Sequence, residues 1–432
     1  MTLHRLSIAE IRAADPVAVT EAYLARIARY DGRIHAFTAL HIDGARAAAA
    51  ESAARRVRGL PPRPLEGVPI GIKANIDVEG LATTAGVAAR RDDIATCDAD
   101  VVTALRDAGA VILGHLNMHE AALGATTDNE AYGRTENPHR IGHTPGGSSG
   151  GSGAAVAAAL CAAALGTDTL GSVRIPAAYN GVYGLKPTNG LVSDEGLVFL
   201  ARRLDSIGPL ARSVADLAAV MAVLAPLADA GPVARVATLR TVDEAEREPA
   251  VQKGFAAAVH ALATLGIKVI ETPTPGLDLA GARSGGFIEA AREAAVIFAA
   301  DRAASGISAG FGALLDYGQR ATPETIAAGK TAMAQASDTL HRLLEDADVL
   351  LMPTAPLAAF AHGRAPVTQA DFTALANIAG VPALSLPSGF SADGLPVAVQ
   401  LVGRPRSEAT LLALAARLDA VLKGYRPPAD FA

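Results

Sequence analysis

The sequence predicts an α/β layered fold in one extended domain over residues 1–432. Helical segments alternate with short apolar runs along much of the chain. Hydrophobic residues make up 50% of the 432 positions against 19% charged, enough to bury a sizeable core. No internal repeat or long low-complexity linker breaks the alternation, and the Pro-rich patch 60–64 and the stretch 225–233 read as connections.

The first clear helix starts at Asp15-Pro16, an N-cap acid followed by proline at the first helical position, and runs to about Tyr30. An alanine-rich helix covers about Gly44 to Val57. Gly67 to Lys73 reads as a strand, with Val68, Ile70 and Ile72 on one face by period-two alternation and Lys73 on the other. A helix from Ala99 to Ala108 leads into a strand from Ala110 to Gly114, and the apolar stretch from Ala154 to Leu165 reads as a further alanine-rich helix. Downstream, strands are expected at Val233–Leu239, Lys268–Glu271, Val349–Pro353, Val381–Pro387 and Pro396–Val402. Helices are expected at Pro249–Leu265, Pro323–Glu345 and Ser407–Leu422.

Composition bounds the function. A formal charge of −6 argues against a broad nucleic-acid footprint, which relies on clustered Lys and Arg. Cys97 and Cys161 lie far apart and form no CxxC pair, so neither a zinc ribbon nor a disulfide framework is suggested. The N-terminal residues lack an uninterrupted secretory core, and the 154–165 stretch falls short of the roughly 20 residues needed to span a bilayer. A soluble, cytoplasmic protein without membrane contact is the expectation.

Two glycine-rich serine loops carry the chemistry. Pro145-Gly146-Gly147-Ser148-Ser149-Gly150-Gly151-Ser152-Gly153 suits a tight loop feeding a helix, because glycine is costly inside regular elements. The second, Leu165-Gly166-Thr167-Asp168-Thr169-Leu170-Gly171-Ser172-Val173-Arg174-Ile175-Pro176-Ala177, is a glycine-bracketed turn carrying a serine. Gly147-Ser148-Ser149-Gly150-Gly151 formally matches G-x-S-x-G, which would make Ser149 a nucleophile. His143-Thr144-Pro145 stands where that motif needs a strand, and no later histidine stands out. The loop likewise lacks the endings of phosphate-binding and dinucleotide-binding loops. His115 and His119, with Glu120, could share a helical face, but their order is not HExxH and His115 falls at a strand end.

The stretch from Gly146 to Gly190, including Gly184-Leu185-Lys186-Pro187-Thr188, closely resembles the signature region of the amidase signature family. Leu65 to Asp77 resembles that family's lysine strand, and Asn377 to Ala383 with Gly394 to Gly403 resembles its C-terminal part. The resemblance implies a large mixed central β-sheet covered by helices on both faces, with a signature core at about 65–190 and a more variable substrate side at about 191–376. It also implies a catalytic set of Ser172 as nucleophile, Ser148 held by a cis peptide bond, and Lys73 as base. No cofactor and no metal are implied.

A serine hydroxyl needs a base, and lysine serves only when neutral. From a reference pKa of about 10.4, burial has to pull Lys73 down by several units. Lys73 is therefore expected to be buried among hydroxyl partners with no carboxylate beside it. Backbone N–H groups of Thr169, Leu170, Gly171 and Ser172 are the candidate oxyanion donors. Asp168 and Arg174 are expected to form an ion pair holding the turn, and Ser149 and Ser152 to bond within their loop or at the following helix N-terminus.

The sequence departs from the family at Leu170, where glycine is usual, and at Ala74, where aspartate is common. A leucine forced to positive φ would be strained; otherwise its side chain narrows the acyl pocket. Arg202, Arg203 and Tyr132 could reach that pocket. The resemblance leaves open a free-standing amidase acting on a small amide, a hydrolase of a urea-like or biuret-type compound, and the amidase subunit of a tRNA-dependent amidotransferase. The free-standing amidase is favoured, because the variable region carries no obvious recognition insert. A non-catalytic scaffold is disfavoured by three intact catalytic matches. A homodimer is the default expectation for its assembly.

Overall fold

The computed structural model describes residues 2–431. Its strands are β1 (Phe37–Leu40), β2 (Pro69–Lys73), β3 (Val111–Leu116), β4 (Asp128–Asn129), β5 (Gly133–Arg134), β6 (Ala163–Asp168) and β7 (Tyr183–Lys186). They continue with β8 (Ser206–Ala211), β9 (Arg235–Leu239), β10 (Lys268–Thr272), β11 (Val349–Pro353), β12 (Ala383–Phe390) and β13 (Pro396–Gly403). Eleven of them form one sheet in the order β1-β3-β2-β6-β8-β7-β12-β13-β11-β9-β10, while β4 and β5 pair separately. The sheet is mixed: β2 runs parallel to β3 and β6, whereas β6, β8, β7, β12, β13 and β11 follow one another antiparallel.

Alternate residues of a strand point to opposite faces, and both faces are covered. On β11, Val349 and Leu351 enter one apolar cluster with Leu262, Leu411 and Leu217 from three helices. Leu350 and Met352 enter a second, with Ala290, Leu315 and Leu340 from three others. All five residues of β2 are buried, which explains why the sheet interior reads as near-continuous apolar runs.

Local signals place the ends of elements. The Asp15 carboxylate accepts the Val17 N–H at 3.0 Å and Pro16 opens the Pro16–Ile34 helix, which buries Val19, Tyr23 and Ile27. The expected 154–165 helix is corrected: a helix spans Gly150–Ala157, the chain turns through Ala159 at φ 55°, and β6 follows. A run of alanines carries no period that separates the two states. Among the described residues, no helix is long and apolar enough to cross a membrane.

The topology brings two parallel strand ends together. β2 ends on Lys73 and its neighbour β6 ends on Asp168, so both open at one edge of the sheet. Crevices at the carboxyl ends of parallel strands are the usual ligand sites of such sheets.

Candidate active site

Lys73 is fully buried, and its Nζ donates to Ser148 Oγ and to Thr167 Oγ1, each at 2.7 Å. Burial pulls its pKa down to about 7, with Asp205 and Asp168 opposing from a distance. The expected environment is present, since hydroxyls and no carboxylate touch the amine. Asp205 is itself spoken for: Thr169 Oγ1 donates to it at 2.5 Å and the Leu200 and Ala201 N–H groups at 2.8 and 3.1 Å. Burial raises the Asp205 carboxyl to about 6 against those hydrogen bonds.

Ser148 follows a cis peptide bond from Gly147. A side chain at Gly147 would have its Cβ 2.6 Å from the Thr126 nitrogen, so the loop can pass there only as glycine. The Ser148 carbonyl accepts the His119 N–H at 3.0 Å, which fixes the loop against the segment after β3. Ser149 and Ser152 depart from expectation. The Ser149 hydroxyl donates to the Thr167 carbonyl at 3.1 Å and accepts the Thr167 N–H at 3.2 Å, while Ser152 donates to the Leu165 carbonyl at 2.9 Å. Both therefore stitch the Gly150–Ala157 helix start to β6, and neither caps the helix. Ser149 is used on both sides and is buried, which speaks against it as a nucleophile.

The second loop turns at Gly171, whose φ is 137° and whose absent Cβ would lie 2.2 Å from Thr373 Oγ1. Leu170 is not in the left-handed region, so the feared strain does not arise there. Its carbonyl accepts the Thr373 hydroxyl at 2.7 Å, and its side chain lines a cavity of about 470 Å³. The Asp168 carboxylate organises the turn from within. It accepts N–H groups of Gly171 at 2.7 Å, Val173 at 3.2 Å and Arg174 at 3.4 Å. Gly171 thus has its N–H turned inward, leaving Thr169, Leu170 and Ser172 as the candidates for an oxyanion.

Asp168 and Arg174 form the expected ion pair at 3.0 Å, both side chains fully buried. Burial alone would raise the Asp168 carboxyl; Arg174, Lys186 and Asn377 outweigh it and hold the pKa at about 2. Arg174 also reaches Gln400 at 2.8 Å and Asn377 at 2.6 Å, and Asn377 donates to Asp168 Oδ1 at 2.9 Å. Ser172, 8% exposed, lines the cavity. Its carbonyl accepts the Ser149 N–H at 3.3 Å, tying the two loops together. Lys73 and Ser148 are in direct contact, whereas the Ser172 hydroxyl has no hydrogen bond among the described residues.

Several contributors lay outside the sequence expectations. Thr167 contacts Lys73, Asn75 Nδ2 approaches Thr167 Oγ1 at 3.3 Å, and Asp205 sits behind Thr169. Thr167 sits inside the quoted motif at the end of β6, whereas only the sheet brings Asp205 close. Ala74, the second departure, is buried and apolar. Arg202, Arg203 and Tyr132 do not line the cavity. Arg203 pairs with Glu289 at 2.8 Å, the Arg202 guanidinium lies 4.1 Å from the Phe199 ring centroid, and the Tyr132 hydroxyl faces the Val87 carbonyl at 3.4 Å. The cation at the cavity is Arg283, paired with Asp371 at 2.5 Å. His115 stands on β3 with both ring nitrogens 3.0 Å from backbone carbonyls, and no metal-holding cluster is found among the described residues.

The fold recurs in known proteins. A family model described as Amidase matches residues 18–412. A glutamyl-tRNA(Gln) amidotransferase subunit of Anaeromyxobacter sp. (strain K) is 38% identical over 95% of this chain and 94% of its own. A solved chain described as an amidase superposes with a TM-score of 0.89 at 31% identity, covering 96% of this chain and 100% of its own. Another belongs to a vestigial protein complex bearing on the origins of an s-triazine catabolic enzyme, with a TM-score of 0.89, 31% identity and coverage of 98% and 100%. A match over residues 18–412 makes this chain a member of the amidase family.

Proposed function

We propose that this protein hydrolyses the C–N bond of a small amide through an acyl-enzyme on Ser172, releasing ammonia or an amine. The observation that carries the reading is Lys73, an amine sealed between two hydroxyls and brought by burial to about 7. Ser172 Oγ attacks the carbonyl carbon, its proton passes to Ser148 Oγ, and the Ser148 proton passes to Lys73 Nζ. The oxyanion meets the N–H groups of Thr169, Leu170 and Ser172. When the C–N bond breaks, the leaving nitrogen takes a proton from Ser148, which recovers one from Lys73. Water then attacks the acyl carbon by the same relay and frees Ser172.

The kinship with the glutamyl-tRNA(Gln) amidotransferase chain supports a second reading, a glutaminase that works beside a partner. Free glutamine brings an α-carboxylate and an α-ammonium, and each needs a charged partner at the site. Among the described residues lining the cavity, Arg283 alone carries a charge, and Asp371 already holds it. That pairing favours the small-amide reading. The likeness to a chain from the s-triazine complex keeps biuret-type amides within the substrate panel. Two unpaired cysteines suit the cytoplasm, the compartment we propose.

The test is ammonia release from neutral carboxamides, biuret and glutamine by the isolated chain. Release from glutamine alone, or only after the other proteins of an amidotransferase are added, refutes the small-amide reading. The pH profile gives an independent check. Because only neutral Lys73 accepts the proton, kcat/KM is expected to rise with pH through about 7 and level off above it. A profile flat from pH 5 to 9 contradicts the assignment of the base.

A further inference from the structure

We infer that the acyl group of the substrate is apolar and uncharged, and that Leu170 with Phe287 sets the size the pocket accepts. The inference deepens the small-amide reading and rests on it. Leu170 stands two residues before Ser172, and its Cδ2 lies 2.9 Å from where a Cβ on Gly286 would be. The leucine is therefore pressed against the bare backbone of the Leu279–Ile297 helix, with its carbonyl pinned by Thr373. The next residue on that helix, Phe287, faces the same cavity and packs against Tyr317, the ring centroids 6.1 Å apart and the planes at 54°.

The apolar lining continues to the mouth. Tyr317 is 53% exposed and Val367 is 72% exposed, and both line the cavity. Lone exposed apolar residues need no explanation, but two at the rim of an apolar cavity beside a nucleophile form surface that a bound acyl chain covers. The charge pattern agrees. A carboxylate on the substrate would share a guanidinium whose charge Asp371 already offsets through Nε at 2.5 Å, and would sit beside that like charge. An uncharged chain leaves the pair intact and gains from each methylene that it buries.

The experiment is kcat/KM for propionamide, hexanamide, 3-phenylpropionamide, 2-naphthamide, succinamate and glutamine, with wild type, Leu170→Ala and Phe287→Ala. A methylene in such a pocket is worth roughly tenfold or more. The wild type is expected to favour hexanamide and 3-phenylpropionamide over propionamide by at least about tenfold and to discriminate against succinamate and glutamine. Each truncation is expected to shift the ratio of 2-naphthamide to hexanamide by about tenfold toward the bulkier amide; the two variants alter different elements, so a folding defect in one leaves the other informative. Ser172-dependent hydrolysis that prefers succinamate or glutamine, or truncations that leave the ratio unchanged, overturn the inference while the hydrolase reading stands. No hydrolysis of any amide overturns both.

Discussion

Ser172→Ala is expected to lower kcat by roughly 10⁴-fold or more on whichever amide the wild type cleaves, and Lys73→Ala by a similar factor. In the proposed mechanism the two side chains act on one proton path. Lys73 contacts Ser148 at 2.7 Å, and the Ser148 loop is tied to Ser172 by the Ser149 N–H. Members of such a unit are not additive, so the Ser172→Ala, Lys73→Ala double variant is expected to fall little below either single one. Steady-state rates on one amide, with intrinsic fluorescence or circular dichroism to confirm folding, check this. A folded Ser172→Ala variant that keeps wild-type turnover removes the nucleophile assignment; a fully additive double variant removes the shared path.

Asp168→Ala is expected to cost about 3–5 kcal/mol of stability, the penalty for leaving a buried partner charge uncompensated. Here that charge is Arg174, with no exposure to water, and the same substitution strips the acceptor from the Gly171, Val173 and Arg174 N–H groups. Urea unfolding of the two chains side by side measures it. The pH dependence has a definite sign. The Asp168 carboxyl is held at about 2, below its ordinary 3.8, so its contribution is complete above about pH 4 and is lost as pH falls through about 2. The wild type should therefore shed stability across that acid window, and the Asp168→Ala variant should shed less. An equal acid loss in both chains places the titration elsewhere.

The elements that the sequence disclosed are those with a local physical signal. The strand at Val349–Pro353 lies where its apolar run ends on proline, and the Pro16–Ile34 helix starts at its aspartate and proline. Strands β6, β7 and β8 went unmarked, because residues buried on both faces show no alternation and alanine reads equally well in either state. The helices Leu279–Ile297 and Ala309–Gln319 also escaped, and they supply Phe287 and Tyr317 to the cavity. The same division holds at the site. Lys73, Ser148 and Ser172 sit in motifs dense with glycine, whereas Asp205, Arg283 and Asp371 sit in ordinary sequence and acquire meaning only through their neighbours. Leu170 falls between: its position was visible, but its relief from strain depends on Gly171 carrying the turn.

The bonds around Asp168 and Arg174 also set a schedule. Arg174 meets Gln400 across 226 positions and Asn377 across 203. A ribosome adding roughly 5–20 residues per second needs some ten seconds or more to cover that interval. Throughout it the nascent chain already holds both serine loops, but not the strand and helix that clamp the second one. The second serine loop therefore lacks its clamp until residues in the last fifth of the protein have emerged.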